Sequence, residues 1–196
     1  MEDEGREAFP QLHDELARVA CGENMKHILL ILLIAAAPLY AQQGPQDLHS
    51  YFSPKGGCTQ AIVDVLGTAK KSVLVQAYSF TSAPIARALV DAKKRGVDVQ
   101  VILDKSQRTE RYTSATFLAN EGIPTYIDPV HKIAHNKVMV IDGQTVITGS
   151  FNFTKAAEEG NAENLLVITH APELAQRYTE NWKNHLGHSL PYQKRD

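Results

Sequence analysis

His135 and Lys137 are the residues of this chain whose types and spacing best suit phosphate chemistry. Alternate side chains of an extended strand share a face, so an imidazole and an ammonium two residues apart can contact one ligand. A neutral imidazole can attack or accept a proton while the ammonium neutralises a phosphate, and this pairing needs no metal. Taken alone, the pair is weak evidence, because a His-x-Lys in a half-exposed strand is usually solvated surface.

Asp142 completes a His-x-Lys-x4-Asp pattern with these two residues, and we include it in the catalytic set that the pattern predicts. Its position has the opposite parity from His135, so in a strand its side chain points to the other face. Asp142-Gly143 is also the strongest short hairpin signal in the chain. A structural role at a turn is therefore the favoured interpretation of Asp142.

Three short segments around this pattern follow one another in a specific order. They are HNKVMVIDG at 135–143, GSFNF at 149–153 and NAEN at 161–164. Together they resemble the phospholipase D superfamily, and within it the Nuc group of small bacterial endonucleases, which carry one such motif per chain. The likeness extends from about Ser53 to Leu186. It implies the α/β phospholipase D/nuclease fold, one domain with a mixed β-sheet flanked by helices.

The resemblance also implies a role for each polar residue of these segments. His135 would be the catalytic histidine, Lys137 and Asn152 would bind the phosphate oxygens, and Ser150 would add a hydroxyl. Glu163 would accept a hydrogen bond from His135 and fix its tautomer, as a carboxylate does beside a catalytic imidazole. The implied activity is hydrolysis of a phosphodiester bond through a phosphohistidine intermediate.

The presence of one motif predicts an assembly. In the superfamily two histidines act on one phosphodiester, one as nucleophile and one as general acid, whereas this chain supplies a single His-x-Lys-x4-Asp. A second copy across a two-fold axis would supply the missing half, so we expect a homodimer with a shared site.

A metal is not expected in this chemistry, and neither is a cofactor. His131 and His135 are four residues apart, but that spacing suits a metal on a helix, and the segment lacks the Glu of His-Glu-x-x-His. The remaining histidines have no partner at a meaningful spacing and are interpreted as surface residues. They include His49, His170, His185 and His188.

The substrate is not determined by the motif, because the superfamily acts on phosphodiesters of lipids and of nucleic acids. A nucleic acid is favoured, since the chain has no added lipid-binding domain and its likeness to the Nuc group continues through residues 153–157. A phospholipase D acting on phosphatidylcholine-type lipids is the alternative. A membrane-tethered, inactive binding module and a mitochondrial member of the superfamily also remain open.

The elements expected around the motif alternate between strands and helices. Apolar spacing predicts a helix from Thr59 and a buried strand at Ser72–Tyr78, then a helix from Ser82 to about Gly96 and a strand at Val97–Leu103. A strand, a helix and a strand in this order indicate a parallel pair. Further on, the patterns predict a short helix at Thr113–Glu121, a strand at Thr125–Ile127, a hairpin of Lys137–Ile141 with Thr145–Thr148, a strand at Asn164–Thr169 and a helix at Pro172–Leu186.

The first 41 residues have the character of a leader. Ile28 to Ala37 is an uncharged apolar run, too short for a membrane-spanning helix, and Ala41 is a suitable cleavage point. We therefore expect residues 1–41 to be an N-terminal extension and signal peptide, with a start at Met25 as an alternative, residues 42–57 a linker, and 58–190 the phosphodiesterase domain. This arrangement predicts a periplasmic or secreted protein.

Charge and cysteine content set weaker limits. The formal charge is −2, and removal of residues 1–41 would take away three basic and seven acidic residues and leave +2. A small positive charge suits an anionic substrate without identifying one. Cleavage would leave Cys58 alone, which excludes an internal disulfide and a cysteine-based zinc site.

Overall fold

The computed structural model describes residues 46–193, and these form eight strands and five α-helices. The strands are β1 (Asp47–Phe52), β2 (Ser72–Ala77), β3 (Asp98–Asp104), β4 (Thr125–Asp128), β5 (Lys137–Ile141), β6 (Thr145–Gly149), β7 (Asn164–Thr169) and β8 (Leu190–Pro191). The helices are α1 (Cys58–Thr68), α2 (Ala83–Lys94), α3 (Ala115–Asn120), α4 (Lys155–Glu159) and α5 (Pro172–Leu186). A 3₁₀ turn, Lys105–Arg108, follows β3.

One mixed sheet contains all eight strands, in the order β1-β7-β6-β5-β2-β3-β4-β8. The neighbours β2, β3 and β4 are parallel, and the other pairs are antiparallel. Helix α2 connects the parallel pair β2 and β3, as the alternation of patterns predicts. The predicted fold class, a mixed sheet flanked by helices, is confirmed.

Helices cover both faces of this sheet. On one face α1 and α2 pack their apolar sides against alternate residues of the strands, so that Ile62, Leu89 and Val75 are fully buried. On the other face α5 packs Ala175, Leu174 and Tyr178 against residues of β5 and β6. Trp182 belongs to the same helix, and its indole Nε1 donates to the Val75 carbonyl at 2.9 Å. The predicted packing role of the α5 aromatics is thus observed.

Strand β1 lies within the stretch 42–57 that the sequence predicts to be a linker. It pairs antiparallel with β7, from Asp47 opposite Thr169 to Phe52 opposite Asn164. The prediction failed because five of the six β1 side chains are exposed, so no alternation of buried and exposed residues marks the strand. Backbone pairing to an edge of the sheet forms it instead.

The His-x-Lys part of the motif lies at one end of the strands of the sheet. Because β5 runs antiparallel to β2, the first residue of β5, Lys137, is paired with the last residue of β2, Ala77. The parallel strands β3 and β4 terminate at this same end, where Asp104 is paired with Asp128. Loops that follow parallel strands and precede β5 therefore meet here.

The predicted leader, including Ile28 to Ala37 and the cleavage point at Ala41, lies outside the described residues. Among residues 46–193, the structure contains no helix with the length and apolar character that a bilayer crossing requires.

Candidate active site

An open pocket brings together all but one of the residues that the sequence predicts for the site. It is lined by His135, Lys137, Gly149, Ser150, Asn152 and Glu163. These residues come from the start of β5, the end of β6 with the loop after it, and the residue before β7. Residues far apart in sequence thus meet at one point because β5, β6 and β7 are neighbours in the sheet.

Asp142 is the predicted residue that the structure places elsewhere. It lies at the opposite end of β5 from Lys137, and its carboxylate accepts hydrogen bonds from the backbone N–H groups of Lys70, Lys71 and Ser72 at 2.9, 2.7 and 2.9 Å. Burial alone would raise the pKa of Asp142, but these backbone donors outweigh it and hold the pKa below its usual range. The structure gives Asp142 no place in the catalytic set and assigns it the structural role that its parity favours.

Lys137 is buried, whereas its neighbour in the pocket, His135, is exposed. Its ammonium donates to the His135 carbonyl oxygen at 2.9 Å, and its Nζ lies 5.1 Å from the centre of the Tyr78 ring. Burial lowers the pKa of Lys137, and the negative charge of Glu163 partly offsets this effect. The pocket therefore contains one cation, which is held in place by its own strand and faces a carboxylate.

Tyr78 is a pocket neighbour that the sequence pattern does not reveal. Its ring centre lies 4.6 Å from that of His135, and its backbone N–H donates to the Asn136 carbonyl at 2.8 Å. Because Tyr78 directly follows β2, the pairing of β2 with β5 brings it to the histidine. Only knowledge of the strand order could have predicted this contact.

Glu163 has different partners from those predicted. Its Oε2 accepts from the Ser150 hydroxyl at 2.6 Å, and its Oε1 accepts from the Asn161 side-chain amide at 3.1 Å. The expected hydrogen bond from His135 is not formed among the residues that the structure describes. Ser150 in turn accepts from the Asn164 backbone N–H at 3.0 Å, which fixes the hydroxyl that donates to Glu163.

The segment 150–153 presents alternate residues to the pocket. Phe151 and Phe153 are fully buried in the core, and this anchors the chain so that Ser150 and Asn152 point to the pocket side. The Asn152 Oδ1 atom is buried without a hydrogen-bond partner in the described part of the chain. Buried polar atoms are usually paired, so this amide has capacity for a ligand or a second chain.

Two sequence interpretations concern residues outside the pocket. Cys58 is fully buried, and burial together with the nearby Glu158 carboxylate raises the pKa of its thiol to about 11, which agrees with an inert cysteine. His185 and His188, by contrast, are not isolated surface residues. They join His131 around the buried Asp128, so His131 does not pair with His135 as the zinc alternative supposed.

Comparison with known proteins agrees with this architecture. The family described as "Cardiolipin synthase, PLD-like domain" matches residues 62–186. The chain belongs to the phospholipase D superfamily. It is a phosphodiesterase of that superfamily, of the nuclease or phospholipase D type.

The chain is similar to relatives that are named as a phospholipase D and a cardiolipin hydrolase and to the solved structure of a Nuc protein. A protein named "Phospholipase D" from Rickettsia bellii is 47% identical over 142 residues, which are 72% of this chain and 70% of the relative. The crystal structure of the phospholipase D family member Nuc from Salmonella typhimurium has a TM-score of 0.74 at 40% identity, and the match covers 76% of this chain and 100% of Nuc. A "Mitochondrial cardiolipin hydrolase" from Xenopus laevis is 33% identical over 109 residues, 56% of this chain and 51% of that protein.

Proposed function

We propose that this phosphodiesterase is an endonuclease that cleaves DNA or RNA through a phosphohistidine on His135. The observation that carries the proposal is that the exposed His135 side chain and the buried Lys137 side chain line one polar pocket. A fixed positive charge beside a nucleophile stabilises the phosphoryl oxygens during transfer. The neighbouring Ser150 hydroxyl and Asn152 amide add neutral polar groups for the same oxygens.

The reaction has two balanced steps. A ring nitrogen of His135 attacks phosphorus, and the bond from phosphorus to the leaving oxygen breaks while that oxygen takes a proton from a second imidazole. Water then attacks the phosphohistidine, gives its proton to the second imidazole and releases His135 with a phosphate product. Division of a slow hydrolysis into two faster steps is the advantage of covalent catalysis. No metal takes part in either step.

The second imidazole is proposed to be His135 of a second chain. Each chain offers one motif, and His135 is exposed at the mouth of the pocket, where a two-fold axis could bring two copies to one phosphate. A homodimer with a shared site follows.

Exposed basic side chains support a polyanionic substrate. The loops after β3 and β4 open at the same end of the strands as the pocket and carry Lys105, Arg108, Arg111 and Lys132, all exposed, with Glu110 as the acidic residue among them. A nucleic acid presents a phosphate at every nucleotide, so charges beside the reacting phosphate add binding energy. The exposed Tyr112 ring, 5.5 Å from the Arg111 guanidinium, offers a face on which a base can stack.

A phospholipid is the second candidate substrate. The names of the Rickettsia and Xenopus relatives, a phospholipase D and a cardiolipin hydrolase, favour it. The same pocket could act on a lipid phosphodiester, and the same basic loops could contact an anionic membrane. The proposed site of action is the periplasm or the outside of the cell, where the predicted leader would deliver the protein.

The experiment that tests the function compares substrates for the full chain. Plasmid DNA, RNA, vesicles of phosphatidylcholine or cardiolipin, and bis(p-nitrophenyl) phosphate are assayed in chelator, well below the unfolding temperature. We expect hydrolysis of the chromogenic diester and a clear preference for DNA or RNA. A preference for vesicles would replace the endonuclease by the phospholipase. A histidine variant, His135→Asn, should lose at least about a thousandfold in rate, and His170→Asn, at an exposed position outside the pocket, is the control.

Mixed dimers test the shared site. His135→Asn and wild-type chains are unfolded together and refolded in equal amounts. If one site needs both histidines, statistical pairing leaves about a quarter of the wild-type activity, whereas independent sites leave about half. The higher value, with dimers present, would contradict the mechanism.

A further inference from the structure

Four side chains with metal-binding atoms converge at the end of β4, away from the catalytic pocket. They are Asp128, His131, His185 and His188, which we call the Asp128 cluster. One ligand atom from each lies within 4.8 Å of the others. The cluster and the pocket lie at the same end of the strands, but β2 and β3 separate β4 from β5, so these two strands are about 14 Å apart.

The Asp128 carboxylate at the centre of the cluster is fully buried, and a backbone N–H group fixes one of its two oxygens. Its Oδ1 accepts from the Val130 backbone N–H at 3.0 Å, which fixes the plane of the carboxylate. The other oxygen, Oδ2, faces His131 Nδ1 and His185 Nδ1 at 2.8 Å each and His188 Nε2 at 3.3 Å. Three ring nitrogens therefore converge on one carboxylate oxygen.

Hydrogen bonds alone account poorly for this convergence. A carboxylate oxygen has about two lone pairs, whereas three imidazoles approach Oδ2. The centres of the three rings are also only 4.8, 5.2 and 5.4 Å apart, so the imidazoles are gathered around that one oxygen. A dication held by the four side chains would account for this convergence, because each ring would contribute a nitrogen lone pair to it.

The spacing of the four atoms suits a tetrahedral zinc site. Bonds of about 2.0–2.1 Å place the ligand atoms of such a site about 3.3 Å apart. The three distances from Oδ2 are 2.8, 2.8 and 3.3 Å and all four ligand atoms lie within 4.8 Å of one another, so rotations of the rings would bring them to the tetrahedral spacing.

We infer that the Asp128 cluster binds one Zn²⁺ ion through three imidazoles and one carboxylate. With four protein ligands the site is closed and structural, without a position for water or substrate. The ion would join the end of β4 to the end of α5 and to the turn before β8. It would thereby link residues far apart in the chain, since Asp128 and His185 are 57 positions apart. It would also fix the loop that leads from His131 to the catalytic His135.

The inference is tested by metal analysis of the full chain without a histidine tag. We expect about one zinc ion per chain when the metal content is measured by inductively coupled plasma mass spectrometry. Removal of the ion by chelator should lower the unfolding temperature, and added zinc chloride should restore it. Reconstitution with Co²⁺ should give the intense visible absorption of a tetrahedral site. A wild-type chain that takes up no stoichiometric zinc, or whose unfolding temperature is the same with and without zinc, would overturn the inference.

Variants locate the ion and separate this inference from the proposed function. His185→Gln with His188→Gln should lose the stoichiometric zinc, while His170→Gln, an exposed histidine outside the cluster, should keep it. His135→Asn should bind zinc as the wild type does, because the pocket is not involved. Equal zinc binding by the double variant would show that the ion lies elsewhere and would reject the site. Since the zinc measurements require no turnover, they stand even if the enzyme proves to have another substrate.

Discussion

The Lys137 ammonium donates a hydrogen bond to the backbone carbonyl of His135, two residues earlier in the chain, at 2.9 Å. The cation of the pocket is therefore positioned by the residue whose imidazole we propose as the nucleophile. The Tyr78 ring contacts both side chains from the adjacent strand end. A phosphate bound at Lys137 would consequently lie beside the His135 imidazole, and this is the geometry that phosphoryl transfer requires.

Replacement of Lys137 by methionine should separate activity from stability. Lys137→Met keeps the length of the side chain and removes the charge that would bind the phosphate, so kcat/KM should fall by about 10²–10³. The free energy of unfolding should stay the same or rise, because a buried ammonium is costly to desolvate. Steady-state kinetics and urea unfolding measure the two effects. Lys70→Met, at an exposed position, is the control, and an unchanged kcat/KM in Lys137→Met would contradict the phosphate-binding role.

Removal of the Glu163 charge should lower the pKa of Lys137 further. Burial lowers that pKa and the negative charge of Glu163 raises it. In Glu163→Gln the effect of burial remains and the opposing charge is removed. Glutamine can still accept from the Ser150 hydroxyl, and this preserves the local geometry. NMR of labelled lysine side chains, followed as a function of pH, measures the shift.

The matched control for this shift is Glu159→Gln. Glu159 is exposed and pairs with Lys155 on α4, outside the pocket. It should leave the titration of Lys137 unchanged. A Lys137 pKa that is equal in Glu163→Gln and in the control would show that the carboxylate does not act on the ammonium.

Asp142 should matter for stability and not for catalysis. Asp142→Asn keeps the left-handed backbone at φ 54°, which asparagine tolerates, but weakens the acceptor of three backbone N–H groups. A loss of about 1–3 kcal/mol in the free energy of unfolding is expected at neutral pH, with kcat retained in the folded enzyme.

The pH dependence of this loss has a definite sign. The folded-state pKa of Asp142 is depressed, so its contribution is complete above its ordinary value of about 4 and is lost as the pH falls through the folded-state value. The difference between wild type and Asp142→Asn, measured by denaturant unfolding, should therefore shrink in acid. The exposed Asp64, replaced by asparagine, serves as control. A difference that grows as the pH falls would be inconsistent with the depressed pKa.

Sequence patterns predicted the elements that are continuous in the chain. The hairpin of β5 and β6 and the helix α5 have strong local signals, respectively an Asp-Gly turn and an apolar stripe, and both are observed. Strand β1 has no such signal, because backbone pairing to β7 forms it while its side chains remain exposed.

Contacts between distant residues were predictable only where a motif encoded them. His135, Ser150 and Glu163 could be grouped because their segments resemble a known family, and the structure brings them to one pocket. Asp128 and His185 belong to no such motif and are 57 residues apart, so their contact depends on where α5 ends relative to β4. The order of the strands and the length of α5 together determine whether Asp128 and His185 meet. Local periodicity of the sequence predicts neither of them.

Gly149 provides the sharpest test of how the backbone shapes the pocket. Its φ is 148°, and a Cβ atom there would lie 2.3 Å from the Asn164 carbonyl oxygen. That oxygen accepts from the backbone N–H groups of Ser150 and Phe151 at 3.1 Å each, so it cannot move without displacing the pocket. Gly149→Ala should therefore lower the free energy of unfolding by about 3 kcal/mol or more and reduce activity in the fraction that folds.

Gly160 is the matched control because it also lies near the pocket segments but has room for a methyl group. A Cβ there would meet the Ala156 carbonyl oxygen at 3.7 Å, an ordinary contact, at a φ of −133° that other residues adopt. Gly160→Ala should change the free energy of unfolding by no more than about 0.5 kcal/mol. Thermal unfolding and hydrolysis of bis(p-nitrophenyl) phosphate, measured for both variants, decide the matter. Equal behaviour of the two would mean that the close approach of β6 to β7 at Gly149 does not position Ser150.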